Sequence, residues 1–101
     1  MINIPCISMV AANPATGQRI PLVVKMTEAG ILAENPNFPY FDAIEQQRIL
    51  ANLSASAASY YATSKAGGAK GWTLTEAATL NEMPQGPVTF THPQSHFVIW
   101  A

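Results

Sequence analysis

The chain has 101 residues, of which 49% are hydrophobic and only 11% are charged, and its formal net charge is −1. This composition excludes a disordered chain, and the length predicts a single domain over residues 1–101 with one modest core. The few basic residues are scattered along the chain, which excludes the clustered patch typical of nucleic-acid binding. So little charge leaves much of the surface without charged cover, which favours an oligomer or a bound partner.

No apolar run approaches the roughly 20 residues that a membrane-spanning helix needs, and the first residues lack the basic region of a signal peptide. We therefore expect a cytoplasmic protein, of a cell or of an infected host, without a membrane partner. The single cysteine, Cys6, excludes an intramolecular disulfide and a multi-cysteine zinc site. Its apolar neighbours Pro5 and Ile7 predict a buried, unreactive thiol.

The first third of the chain predicts an antiparallel hairpin. Residues 4–12 and 20–26 are compatible with strands, and the turn-forming residues 13–17 separate them. Residues 27–34 are compatible either with a tight turn or with a short helix.

Residues 35–41 form a loop that contains two prolines and three aromatic residues, Phe38, Tyr40 and Phe41. Aromatic side chains in such a loop usually close the end of a core where a helix begins. A rigid aromatic loop can also anchor a protein partner. For that reason Phe38 and Tyr40 are candidate partner-binding residues.

The stretch from Asp42 to Gly68 predicts one long amphipathic helix over residues 43–65. Asp42 is a favourable N-cap, and Glu45 three residues later completes a capping box. Gly67 and Gly68 offer the left-handed stop that ends many helices. No other segment of the chain is as long without glycine or proline.

Placing the helix residues at 100° steps separates two apolar faces. The expected core stripe consists of Ile49, Leu50, Leu53, Ala57, Tyr60 and Tyr61. A second side, the small-residue face, consists of Ile44, Ala51, Ala55, Ala58 and Ala62. With Arg48 at its edge, the spacing 44-48-51-55-58-62 alternates four and three, which is typical of a helix-packing seam. Alanine is also the best helix former on an exposed surface. We take this face as a candidate partner-binding surface.

The last third of the chain predicts more strands. Residues 73–82 are compatible with a strand or with a short helix, whereas residues 88–92 and 96–100 are clear strands around a three-residue loop. The fold class we predict is therefore α+β: one long central helix packed on a small antiparallel sheet. That sheet comprises the N-terminal hairpin and a C-terminal meander.

A three-residue loop at 93–95 places His92 opposite His96 and Phe90 opposite Val98. Directly opposed side chains lie about 5 Å apart at Cβ, so the two imidazoles become neighbours. A metal site needs about three or four ligands, and the remaining candidates, such as Asp42, Glu76 and Glu82, have no diagnostic spacing to the pair. We predict no metal, no cofactor and no catalytic residue.

The function these features favour is a non-enzymatic protein–protein interaction module that forms a homodimer or small oligomer. An inhibitor, an adaptor and a phage-type accessory or structural subunit all fit. The alternative is a small-molecule or metal-binding protein, or a small enzyme, that uses His92 and His96. A deep pocket lined by the histidines favours the alternative, and a flat apolar surface favours the interaction module.

Overall fold

The computed structural model describes residues 4–65, 71–94 and 96–101. The five strands are β1 (Cys6–Asn13), β2 (Gln18–Met26), β3 (Thr73–Leu80), β4 (Phe90–Thr91) and β5 (Phe97–Trp100). The helices are α1 (Glu28–Glu34) and α2 (Ala43–Lys65), with a 3-10 turn at Phe38–Tyr40. The strands make one antiparallel sheet in the order β3-β1-β2-β5-β4, and α2 packs on it. The predicted α+β class is confirmed.

The N-terminal hairpin forms as predicted. Ile7 lies opposite Val24 and Ala11 opposite Ile20, which places these apolar side chains on the face beneath α2. The turn is closed by Asn13, whose side-chain oxygen accepts a hydrogen bond from the backbone N–H of Ala15 at 3.1 Å. Gly17 completes the turn with φ +77°, a conformation that favours glycine.

The strand order differs from a C-terminal meander. Residues 73–80 form a strand, but β3 pairs with β1, whereas the β4–β5 hairpin pairs with β2. β3 and β4 therefore lie at opposite edges of the sheet. Local periodicity identifies a segment as a strand, but it does not determine which strand of the sheet that segment pairs with.

The link between β3 and β4, residues 81–89, has to cross the sheet from edge to edge. Met83 of this link shares a surface recess with Cys6 and Lys25, and both residues lie on the sheet face opposite α2. Cys6 is buried there, as predicted. Burial raises the pKa of the Cys6 thiol, and the charge of Lys25 offsets only part of this rise.

The buried side of α2 is rotated from the predicted stripe. Leu50, Ala57 and Tyr61 are buried as expected, but Tyr60 is 48% exposed. The most completely buried positions of the helix are Ser54, Ala58 and Ala62. They continue from Leu50 at four-residue intervals, so the small residues form the ridge that faces the sheet and allow the helix to approach it closely.

The structure tests the capping prediction at the start of α2 only. At its start, the Asp42 carboxylate accepts a hydrogen bond from the backbone N–H of Glu45 at 2.8 Å. The predicted glycine stop at Gly67 and Gly68 lies outside the described residues.

In the described part of the chain, no helix is long and apolar enough to cross a membrane.

Replacing the capping residue tests this helix start. Asp42→Ala is expected to lower the free energy of unfolding by about 1 kcal/mol, because one N–H of the first turn loses its acceptor. Asp42→Asn keeps an acceptor oxygen and is expected to lose much less. Urea unfolding followed by circular dichroism measures both, and equal losses would contradict a capping role.

Candidate functional site

The small-residue face is only partly on the surface. Ile44 is 80% exposed and Ala51 is exposed, whereas Ala55 is half-buried. Ala58 and Ala62 have no accessible surface because they pack on the sheet. The prediction that these two alanines belong to a partner-binding face is therefore wrong, and any contact through this face is limited to the first half of α2.

The aromatic loop divides in the same way. Phe38 is buried in the core, where the 3-10 turn holds it beside the start of α2, and its carbonyl accepts a hydrogen bond from the Gln46 side chain at 3.0 Å. Its role as a partner anchor is wrong, and it closes the end of the core instead. Tyr40 is 85% exposed and remains available to a partner.

The open edge of the sheet is a feature that the sequence reasoning missed. Six of the eight residues of β3 are exposed, and none is fully buried. Between this strand and α2 runs a groove of about 360 Å³. We call it the β3 groove; among its lining residues are Ile7, Ile44, Ala51, Ala77 and Thr79. Residues 73–80 contain a single charged residue, Glu76, and this lack of charge is the signal that could have identified an unprotected edge.

A bulge at Glu76 interrupts the edge. The register against β1 shifts between Ser8 and Val10, and Glu76 has φ +58°, a left-handed conformation unusual for a residue with a side chain. The Glu76 carboxylate is held by Arg19 at 2.9 Å. The exposed edge therefore consists of two short stretches of strand, one on each side of Glu76, whose charge is paired with that of Arg19.

The two histidines meet, but not in the predicted register. Phe90 lies opposite Ile99 and Thr91 opposite Val98, one residue away from the predicted pairing. The backbone N–H of His92 donates to the carbonyl of Phe97 at 3.0 Å, so the loop has four residues where three were predicted. The predicted register is wrong, yet the imidazoles still stack with ring centres 4.9 Å apart and planes 5° from parallel.

Backbone contacts hold this stack in place. The N–H of Gln94 donates to Nδ1 of His92 at 3.2 Å, which assigns the ring proton of neutral His92 to Nε2. The carbonyl of His96 accepts from both the backbone N–H and the hydroxyl of Thr27, each at 3.1 Å. The hairpin tip is thereby tied to the N-cap of α1.

Tyr60 of α2 extends the stack into an aromatic cluster. Its ring centre lies 5.5 Å from His92 and 6.1 Å from Phe97. A cavity of about 260 Å³, which we call the histidine pocket, opens beside them. It is lined by Met26, Gly30, Glu34, Leu53, Ser56, Ala57, Tyr60, His92, His96 and Phe97. Among the described residues, no three His, Cys, Asp or Glu side chains come together as metal ligands.

Comparison with protein families, with curated proteins and with solved structures finds no match to this chain. The β3 groove and the histidine pocket are therefore the two candidate functional sites of this protein.

Proposed function

We propose that this protein is a non-enzymatic interaction module that forms a homodimer through β3 and the β3 groove. The observation that carries the proposal is the exposed edge strand β3, in two stretches on either side of the Glu76 bulge, beside the exposed side of α2. At the opposite edge β4 has only two residues, so β3 offers the longer edge for pairing. A sheet edge presents backbone N–H and C=O groups that can bind another strand.

Antiparallel pairing of two β3 strands would join the two sheets and place both α2 helices over the same face. Each helix would then turn its Ile44 and Ala51 side towards its counterpart. The small side chain of Ala51 leaves room for close approach, and Ile44, 80% exposed in the single chain, would be buried. Burying an isoleucine of this kind contributes roughly 1.5–3 kcal/mol, which supports the pairing in each copy.

The charges at this surface favour a second copy over a charged partner. Arg19 is bonded to Glu76, and Arg48 at the β3 groove is bonded to Glu45 one turn earlier on the same helix. Among the described residues the charges at this surface are paired, so two copies do not repel one another there and offer little opposite charge to a basic or acidic partner. Tyr40 stays free for a further protein, as an inhibitor, an adaptor or a phage-type accessory or structural subunit requires.

Light scattering after gel filtration tests the dimer. The wild-type protein is expected to elute as a dimer at micromolar concentration, and Thr79→Lys is expected to be monomeric. Thr79 is exposed in the β3 groove, so an added lysine would place an unpaired charge at the edge that has to pair in each copy. The matched control is Thr91→Lys on β4, an exposed threonine at the opposite edge, which is expected to remain dimeric.

A second pair of variants separates the helix contact from the strand contact. Ala51→Glu places a charge in the β3 groove and is expected to weaken the dimer. Asn52→Glu, at the next and equally exposed helix position, is expected to have no effect. A wild-type protein that stays monomeric at about 100 μM would exclude the proposal, because a stable interface of standard size has a dissociation constant well below that concentration.

A further inference from the structure

The histidine pocket lies between α1, α2 and the tip of the β4–β5 hairpin, away from the β3 groove. Its floor is apolar, with Met26, Leu53 and Phe97, and Tyr60 stands at its side with half of its surface exposed. Polar groups come from Ser56, the two imidazoles and Glu34. An apolar cavity with a few convergent polar groups is the usual form of a small-molecule site.

Among the described residues that line this pocket there is no lysine or arginine, and Glu34 is the one carboxylate, so their formal charge is negative. In the described part of the chain, Glu34 has no ion-pair partner, because the ion pairs found there join Arg19 to Glu76 and Arg48 to Glu45. A carboxylate without a cation disfavours an anionic ligand and favours a cationic one.

Three aromatic rings that line the pocket, those of Tyr60, His92 and Phe97, also pack against one another. The Tyr60 ring is inclined by 79° to Phe97 and by 54° to His92, and His92 is inclined by 47° to Phe97. Aromatic faces carry negative partial charge and attract organic cations, whose diffuse charge tolerates contact with a ring. We propose that the histidine pocket binds a small organic ammonium ion, with Glu34 balancing its charge and the aromatic rings contacting its alkyl groups.

The described residues of this pocket do not form a set of ligands for a metal ion. Within the described residues the pocket does not assemble three metal-ligating side chains. Nδ1 of His92 already accepts the Gln94 N–H, so Nε2 carries the proton and cannot coordinate a metal without rearrangement. The diffuse charge of an alkylammonium ion needs no such ligand set.

The probe for this proposal is choline, whose charge does not change with pH, and the control is 3,3-dimethylbutan-1-ol, its uncharged isostere. Calorimetric titration at about pH 7.5 is expected to show choline binding at least about fivefold more tightly than the alcohol, since charge balance and ring contact together contribute on the order of 1 kcal/mol. Equal affinities, or no choline binding up to about 10 mM, would overturn the proposal.

Two variants test the assigned residues. Glu34→Gln removes the charge from an exposed position with little change of shape, and it is expected to weaken choline binding about twofold without affecting the alcohol. Glu28→Gln, an exposed acid on the same helix that does not line the pocket, is the matched control and is expected to bind like wild type. Tyr60→Leu keeps apolar bulk but loses the ring, and it is expected to weaken choline binding as well. If Glu34→Gln binds choline like wild type, the assignment fails.

Because the pocket does not include β3, the monomeric Thr79→Lys variant is expected to bind choline like wild type. Failure of the dimer and failure of the ligand site are in this way distinguishable.

Discussion

Ile99→Ala is expected to lower the free energy of unfolding by about 4 kcal/mol, the upper part of the range for truncating a buried aliphatic side chain. Ile99 has no accessible surface. It lies on β5, between β2 and β4, directly opposite Val24 and Phe90. Both flanking strands limit the collapse of the cavity, so the loss includes a large cavity contribution. Urea unfolding followed by tryptophan fluorescence measures the change.

The matched control for this substitution is Val98→Ala, at the preceding position of the same strand. Val98 is half-buried and lies on the sheet face opposite α2, so its truncation is expected to cost only about 1 kcal/mol. A comparable loss at the two positions would contradict the placement of the core on one face of the sheet.

Gly30→Ala is expected to destabilise the protein by about 2 kcal/mol, although alanine normally stabilises a helix by about 1 kcal/mol relative to glycine. A Cβ at position 30 would lie 2.5 Å from the carbonyl oxygen of His96, a backbone atom that cannot rotate away. That carbonyl is also held by Thr27, so either α1 or the hairpin tip has to move. The steric cost exceeds the gain in helix propensity, and the sign of the effect is reversed.

Ala29→Gly, at the exposed neighbouring position of α1, is the control and is expected to lose about 1 kcal/mol from propensity alone. Thermal unfolding of both variants gives the stabilities. Imidazole signals in the NMR spectrum of Gly30→Ala are expected to shift, since His96 has to be displaced. A stabilised Gly30→Ala protein with unshifted histidine signals would show that α1 does not approach the hairpin this closely.

Features with short-range causes could be predicted from the sequence. The start of α2 depends on Asp42 and Glu45, which lie within one turn of one another, and the N-terminal hairpin depends on the turn residues between two apolar runs. The burial of Cys6 follows from its apolar surroundings. In the first two cases the determining interaction joins residues close together along the chain.

Tertiary packing decided the rotation of α2. Hydrophobicity alone favours turning Tyr60 inward and Ala58 outward. In the structure the small ridge of Ser54, Ala58 and Ala62 faces the sheet. The small ridge lets the helix approach the sheet closely, and which side of the helix faces the sheet depends on strands that lie elsewhere in the sequence. The predicted partner face was therefore wrong in its second half.

The candidate sites depended on tertiary structure to a still greater degree. The register of the final hairpin differs by one residue from the local prediction, and the tip of this hairpin is bonded through the His96 carbonyl to Thr27, 69 positions earlier in the chain. The β3 edge is open because β3 joins β1 instead of the strands that follow it. The sequence by itself determined the fold class, the long helix and the first hairpin through local hydrogen bonding and periodicity. Long-range packing, which local patterns do not encode, decided the strand order and the rotation of the helix. It also brought Glu34 and the two histidines to the same pocket.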